Sequence, residues 1–342
     1  MIKGKKMPLK NSCNLQWSPI KKRESNNKYM AQVLSYSLLT DYDVSLFQLG
    51  KHFRLYEKMG SHAIEVDGVK GVCFSVYAPA AKSVAIVGDF NDWQPGSHTL
   101  FVRWDGSGIW EGFIPGLKSG DLYKYHIEST NKGQLLQKAD PYALYCERPP
   151  QTASVIWDKS YHWEDELWMR KRHQHNKIEA PMSVYEMHPG SWKRNEAEGR
   201  PMTYQELAAE LPVYLQEMNF THVEFMPVME HPYEPSWGYQ ITGYFAPSSR
   251  FGTPEDFKHL VDQLHQHDIG VILDWVPSHF PSDGHGLGNF DGSCVYEHPD
   301  RRKGYHPDWK SLIFNFERNE VRSFLISNAL FWLDQFHADG TI

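Results

Sequence analysis

G-V-I-L-D-W-V-P-S-H, residues 270–279, decides the fold of this 342-residue chain. Val271, Ile272 and Leu273 follow a glycine as a short apolar run, the pattern of a strand buried on both faces. The run ends in Asp274, and His279 follows five residues later. A carboxylate where a buried parallel strand surfaces, with an imidazole on the loop beyond it, is how a (β/α) barrel presents polar groups to a substrate. The pair alone also fits a loop-capping aspartate and an ordinary surface histidine, so the flanking sequence has to decide.

Upstream, residues 183–188 read as a strand. Thr203 then opens a helix, with Glu206 completing a capping box and Leu207, Leu211, Tyr214, Leu215 and Met218 as its apolar face. Pro212 lies inside that pattern and predicts a kink or a restart. A second strand follows over 221–228. Thr253-Pro254 starts the next helix in the preferred cap-then-proline order, with Phe257, Leu260, Val261 and Leu264 facing inward. The third strand runs over 271–276, then comes a Gly/Pro/His-rich loop over about 277–315. Asn319 is placed as the cap of a helix whose face is Val321, Phe324, Leu325, Ala329, Trp332, Leu333 and Phe336. Strand and helix alternate, which predicts a parallel sheet with right-handed crossovers. The long loops after strands two and three mark the working face.

The first half has a different texture. Residues 72–78 alternate, 83–88 form a second short strand, and 109–114 and 122–127 continue the series. Turn clusters at 88–92, 94–97 and 105–108 separate them. Short strands at this spacing predict a small antiparallel sandwich. Residues 1–33 read as a mobile tail, 34–140 as the sandwich with a packed segment ahead of it, 141–180 as a connector with one amphipathic helix near 163–172, and 181–342 as the barrel part. The two halves are expected to fold separately, with three parallel strands leaving open edges and an uncovered inner face.

Composition narrows the function. Net charge is −7, with no basic block beyond residues 3–10 and 21–23, which argues against a nucleic-acid partner. The four cysteines, Cys13, Cys73, Cys146 and Cys294, lie far apart without C-x-x-C spacing, as expected for reduced thiols in a cytoplasm. No apolar run approaches the length of a membrane span, and the lysine-bearing leader has no apolar core of a signal peptide. Aromatic residues are 14% of the chain, and their faces suit both core packing and stacking on sugar rings. His279, His285, His298 and His306 lack metal-ligand spacing and read as loop surface, His279's place in the motif apart.

Two resemblances now apply. G-D-F-N-D-W (88–93), G-I-W-E-G-F-I-P-G-L (108–117) and L-Y-K-Y-H-I (122–127) are similar to the starch- and glycogen-binding module found ahead of many amylase-superfamily catalytic domains. That resemblance implies Trp93, Trp110 and Lys124 as glucan contacts; both tryptophans also fit sandwich core, and Trp110 sits inside an alternating strand. S-V-Y-E-M-H-P-G-S-W (183–192), E-H-P-Y-E-P-S-W-G-Y-Q-I-T-G-Y-F-A-P (230–247), S-R-F-G-T (249–253) and D-W-V-P-S-H (274–279) resemble the α-amylase superfamily. More narrowly they resemble bacterial-type 1,4-α-glucan branching enzymes, which act in glycogen synthesis. The resemblance runs from about residue 34 to 339.

By that resemblance Tyr239 stacks on the sugar at the cleavage subsite, Gln240 lines it, and His279 hydrogen-bonds a hydroxyl of the same ring. Asp274 organises the surroundings of the nucleophile, and Trp237 is counted with the substrate-binding residues. The implied reaction breaks an α-1,4 bond with retention and hands the glucan chain to a 6-hydroxyl. It needs a carboxylate nucleophile and an acid about 5–5.5 Å apart, and requires neither metal nor cofactor. In the resembling enzymes an R-V-D segment after Asp339-Gly340 carries the nucleophile. Here the sequence reads Asp339-Gly340-Thr341-Ile342, which puts nucleophile and general acid beyond Ile342, so no catalytic residue is assigned.

The expectation is an N-terminal all-β immunoglobulin-like sandwich followed by the first three βα units of an incomplete (β/α)8 TIM barrel. Its function is that of a branching enzyme, present as an inactive fragment that is a cytoplasmic monomer on α-glucan. The alternatives are a non-catalytic glucan-binding protein and a related glucan or trehalose hydrolase.

Overall fold

The chain is described by a computed structural model that covers residues 32–342. The tail expected over 1–33 lies, up to residue 31, outside the described residues.

After α1 (Asp41–Gln48) come β1 (Gly60–Val66), β2 (Val69–Tyr77), β3 (Ala81–Gly88), β4 (Phe101–Val102), β5 (Ile109–Pro115), β6 (Leu122–Ser129), β7 (Leu135–Lys138), β8 (Tyr145–Cys146) and β9 (Ser154–Val155). They form two antiparallel sheets, ordered β1-β2-β5-β4 and β3-β6-β9-β8, with β7 also on β6. Phe74 of the first sheet meets Tyr123 of the second edge-on at 5.1 Å, so the alternating apolar residues of both sheets make the sandwich core. Strands β8 and β9 fall in the stretch expected to be connector. With two residues each, they carry too few side chains to show an alternation.

A short helix follows, α2 (Glu166–His175), then β10 (Val184–Met187), β11 (Arg194–Asn195), β12 (Arg200–Pro201) and α3 (Tyr204–Glu217). Next are β13 (His222–Phe225), β14 (Met229–Glu230), β15 (Gly243–Pro247), α4 (Pro254–Gln266), β16 (Gly270–Leu273) and β17 (His279–Pro281). The chain closes with α5 (Arg301–Gly304), β18 (Tyr305–His306), β19 (Ser311–Ile313), α6 (Asn319–Gln335) and β20 (Gly340–Thr341). Among the described residues, β10, β13, β16 and β20 make one parallel sheet in that order, the start of a barrel with helical crossovers.

The predicted capping box of Thr203 with Glu206 forms, and Thr253, expected only as a cap ahead of Pro254, makes a second box with Asp256. Pro212 does not restart α3; the helix is continuous through it, with the proline buried. Asn319 is not a cap but the first helical residue. Its amide instead donates to the Gln48 carbonyl at the end of α1 and accepts from Arg322.

The expected separation of the halves is not what the packing shows. One apolar cluster runs from Val33 and Phe47 through Phe245 and Phe324 to Phe336. Leu55 N–H donates to Ser327 Oγ at 3.1 Å, and Asp334 takes both Tyr56 Oη–H and Arg54 at 2.8 Å. The sandwich also grips the long loop after β16. Lys138 Nζ donates to the Gly286 and Gly288 carbonyls at 3.2 and 2.7 Å, Ala80 N–H to Asp291 at 2.7 Å, and Asn131 to the Gly292 carbonyl at 2.9 Å.

Lys138 is almost fully buried, and burial pulls its pKa from 10.5 to about 8. Between those values the unfolded chain holds the proton that the folded one has released, so this group's contribution to stability rises with pH. The unfolding free energy of the wild type minus that of Lys138→Met should therefore climb from pH 8 to 10 in urea titrations. A flat difference would remove the assignment.

Candidate functional site

Alternate residues of a strand point to opposite faces. In the parallel sheet Val223, Phe225, Val271 and Leu273 face the helices and are fully buried, with Phe225 6.1 Å from Phe257 of α4. The register Glu186–Glu224–Ile272 puts two carboxylates on the other face, and Asp274 continues that row past the end of β16. Burial raises the Glu224 pKa, and the neighbouring Glu186 and Asp274 charges add to it. The inner face is therefore acidic, and it ends at Asp274.

The loop after β13 brings the second wall. Its base is a buried ion pair, Arg250 to Glu230 at 3.0 Å, in which Arg250 also donates to the carbonyls of His231 and Pro232. From this base the chain reaches Trp237, which is 59% exposed and held at φ 55°. A tryptophan in that region is strained, and such strain clusters at functional sites. Gly238 follows at φ 91°, where a Cβ would lie 2.2 Å from the Pro227 carbonyl, so only glycine fits. The turn delivers Tyr239, whose hydroxyl donates to Asp274 Oδ2 at 2.6 Å. Burial and then this carboxylate push the Tyr239 pKa far up, so the phenol keeps its proton. Asp274 Oδ1 has no protein partner among the described residues and stays free to accept.

The third wall starts at β17. His279 is 7% exposed, and its carbonyl accepts from Tyr244 Oη at 2.9 Å. Neither ring nitrogen has a partner among the described residues, and Nδ1 is sealed from solvent. Burial lowers the His279 pKa, and His306 lowers it further, which leaves a neutral imidazole near pH 7. An unspent neutral histidine at the mouth of a barrel suits a hydroxyl-bearing ligand. The loop entry is fixed from behind: Trp275 Nε1 donates to Asn328 Oδ1 at 2.8 Å, and Asn328 Nδ2 to the Tyr244 carbonyl at 2.6 Å.

The structure thus brings Tyr239 onto Asp274, with His279 and Gln240 nearby through a residue the sequence reading passed over. Gln240 Nε2 donates to the carbonyl of Trp309 at 3.3 Å, and the Trp309 ring lies 5.0 Å from His279. His306, expected as loop surface, stacks on Trp309 at 4.1 Å and 8°. An indole inside a polar turn segment, H-P-D-W-K-S, was the one available signal.

The sandwich candidates divide. Trp110 is 8% exposed and donates its Nε1–H to the Ala78 carbonyl, so of its two readings core packing is the one its surroundings fit. Trp93 is half-buried at φ 58°, with its Nε1–H on Asp89 at 2.7 Å. Lys124 is half-buried and bonds Thr152 Oγ1 at 2.6 Å, and burial lowers its pKa. No group of three or more His, Cys, Asp or Glu is placed to hold a metal ion among the described residues. No helix among them is long and apolar enough to cross a membrane.

Comparison with known proteins follows the same division. The family model described as carbohydrate-binding module 48 (isoamylase N-terminal domain) matches residues 58–143, and that of the alpha amylase catalytic domain matches 204–311. A 1,4-alpha-glucan branching enzyme of Aquifex aeolicus is 56% identical over 306 residues, covering 89% of this chain and 48% of its own. Those of Albidiferax ferrireducens and Rubrobacter xylanophilus are 55% and 54% identical, covering 88% and 89% of this chain and 47% and 42% of their own. The chain spans less than half the length of these curated relatives. A solved Salmonella typhimurium protein described as an alpha amylase superposes with a TM-score of 0.65 at 27% identity, over 83% of this chain and 43% of its own.

Proposed function

The chain belongs to the α-amylase superfamily, among the 1,4-α-glucan branching enzymes, and from that premise we propose that it binds α-glucan and orients it for branching. The observation that carries this is the 2.6 Å bond from Tyr239 to Asp274 beside a His279 whose Nε2, unlike the sealed Nδ1, is unspent and open to a ligand. The bond fixes the phenol as a flat surface for a pyranose. Asp274 Oδ1 and the His279 ring then hold hydroxyls of that sugar, and Gln240 and Trp237 close the sides. These are positioning tasks, which lower a barrier by holding reactants in place. The reading puts the chain in the cytoplasm as a monomer on glycogen-type glucan, with the sandwich as a second contact through Trp93 and Lys124.

The retaining step itself needs a carboxylate that becomes a glycosyl ester and an acid that protonates the leaving oxygen. The resemblance assigns both to strands that follow Gly340, beyond residue 342. The 342-residue polypeptide should therefore bind maltoheptaose in calorimetry yet leave amylose unbranched, with an unchanged iodine spectrum and no new α-1,6 anomeric signal. Binding without branching is also what a non-catalytic glucan-binding protein does. Branching by this polypeptide would show the nucleophile to be misplaced, and loss of binding specificity for α-glucan would remove the reading.

For the sandwich, Trp93→Ala should weaken retention in a glycogen-affinity gel without changing the thermal midpoint. Equal mobility of the wild type with and without glycogen would eliminate the module as a contact.

A further inference from the structure

We infer that Trp309, backed by His306, forms a second sugar-stacking subsite that extends the cleft from the ring held by Tyr239 and His279. The inference rests on the α-glucan reading above and deepens it. Strand β19 pairs with both β17 and β18, His279 opposite Ile313 and His306 opposite Ser311, so one small sheet carries His279 and the hairpin tip of residues 307–310. Trp309 stands on that tip. Its N–H donates to His306 Nδ1 at 3.4 Å, its carbonyl accepts from Gln240, and the next residue, Lys310, is held at φ 52°. The backbone is tied by two hydrogen bonds, while the residue remains 57% exposed.

Its stack on His306 at 4.1 Å and 8° covers one face of the indole and fixes its plane, while more than half of the residue stays open to solvent. A fixed, half-open aromatic ring beside the unspent His279 Nε2 fits a ligand with one apolar face and a rim of hydroxyls. The inner sheet face below it carries Glu186, Glu224 and Asp274, which disfavours nucleotides, phosphate esters and acidic peptides. A neutral pyranose chain is the class left, and continuity with the Tyr239 wall through Gln240 makes it the same chain.

The test titrates the full 342-residue chain carrying Trp93→Ala, to silence the sandwich, with maltotriose and maltoheptaose in calorimetry. Adding Trp309→Ala should weaken maltoheptaose about tenfold, the worth of one ring-stacking contact, and maltotriose much less. Trp309→Phe should restore most of the affinity, and the thermal midpoint should stay within a degree or so. Tyr239→Ala separates the two claims. Affinity lost with Tyr239→Ala but kept with Trp309→Ala overturns this inference and leaves the functional reading intact. Affinity indifferent to Tyr239→Ala overturns that reading and, with it, the joined cleft. No maltoheptaose binding by the parent overturns the inference as well.

Discussion

Asp339→Ala should cost about 3–5 kcal/mol of stability, the usual result of removing one partner from a buried charged cluster. Asp339 Oδ1 accepts from Trp168 Nε1 at 3.0 Å and Asn176 Nδ2 at 3.2 Å. Its Oδ2 accepts from His265 Nε2 at 3.1 Å and Val271 N–H at 2.8 Å. One carboxylate therefore ties α2, α4, the start of β16 and the start of β20 together. Alanine leaves those four donors without their acceptor, with Trp168 and His265 among them buried, and His265 keeps only Asp165. Because one apolar cluster joins sandwich and barrel part, the loss should appear in a single transition for the whole chain. Urea unfolding of wild type, Asp339→Ala and Asp339→Asn would measure it, with asparagine intermediate because its oxygen still accepts. A loss under about 1 kcal/mol for alanine would mean the cluster is not the clamp the geometry describes.

This clamp was not legible in the sequence, and the reason is physical. Asp165, His265, His337 and Asp339 are separated by up to 174 positions, and no local period relates an aspartate before α2 to a histidine late in α4. What the sequence does carry is local. The apolar run of β16, the capping box of α3, the cap-then-proline start of α4, and the loops that follow β13 and β16 are all readable, because each rests on neighbours within one turn or one strand. Asp67-Gly68 was readable too and was passed over. Both residues sit at positive φ, 50° and 80°, and turn β1 back onto β2, so the first strand starts at Gly60 rather than at residue 72. The site shows the same limit. Tyr239, Asp274 and His279 lie on recognisable motifs, whereas Trp309 reaches them only through the pairing of β17, β18 and β19. The joining of the two halves was hidden for the same cause: Lys138 holds carbonyls about 150 positions away, and carbonyls have no sequence signature.

The same cluster sets a pH window for stability. His265 is fully buried, and its two ring nitrogens face two carboxylates, Asp165 at 2.8 Å and Asp339 at 3.1 Å. Only the protonated ring can donate to both. Burial by itself pulls the His265 pKa down, and the two carboxylates outweigh it, so the folded value lies above 6.5. Its contribution is fully present below pH 6.5 and is lost as pH rises through the folded value. Asp165 and Asp339 behave oppositely. Burial raises each, but the bonds from His265 and His337 to Asp165, and from His265, Val271 and Trp168 to Asp339, hold both below 3.8. Their contribution is present above pH 3.8 and is lost as pH falls through the lowered values. His222, bonded to Asn176, His175, tilted against Trp168, and Arg172, which reaches the Ala338 carbonyl, also lie against the cluster. Burial, first among its causes, lowers the His222 pKa. The cluster's contribution should therefore be flat from about pH 4 to 6.5 and fall on both sides. The experiment compares wild type with His265→Gln, which can still donate to one carboxylate but carries no charge. The difference in unfolding free energy should be greatest near pH 5–6 and shrink above pH 7. A difference that grows with pH would show that His265 is neutral in the folded chain, and that the two carboxylates share a proton instead.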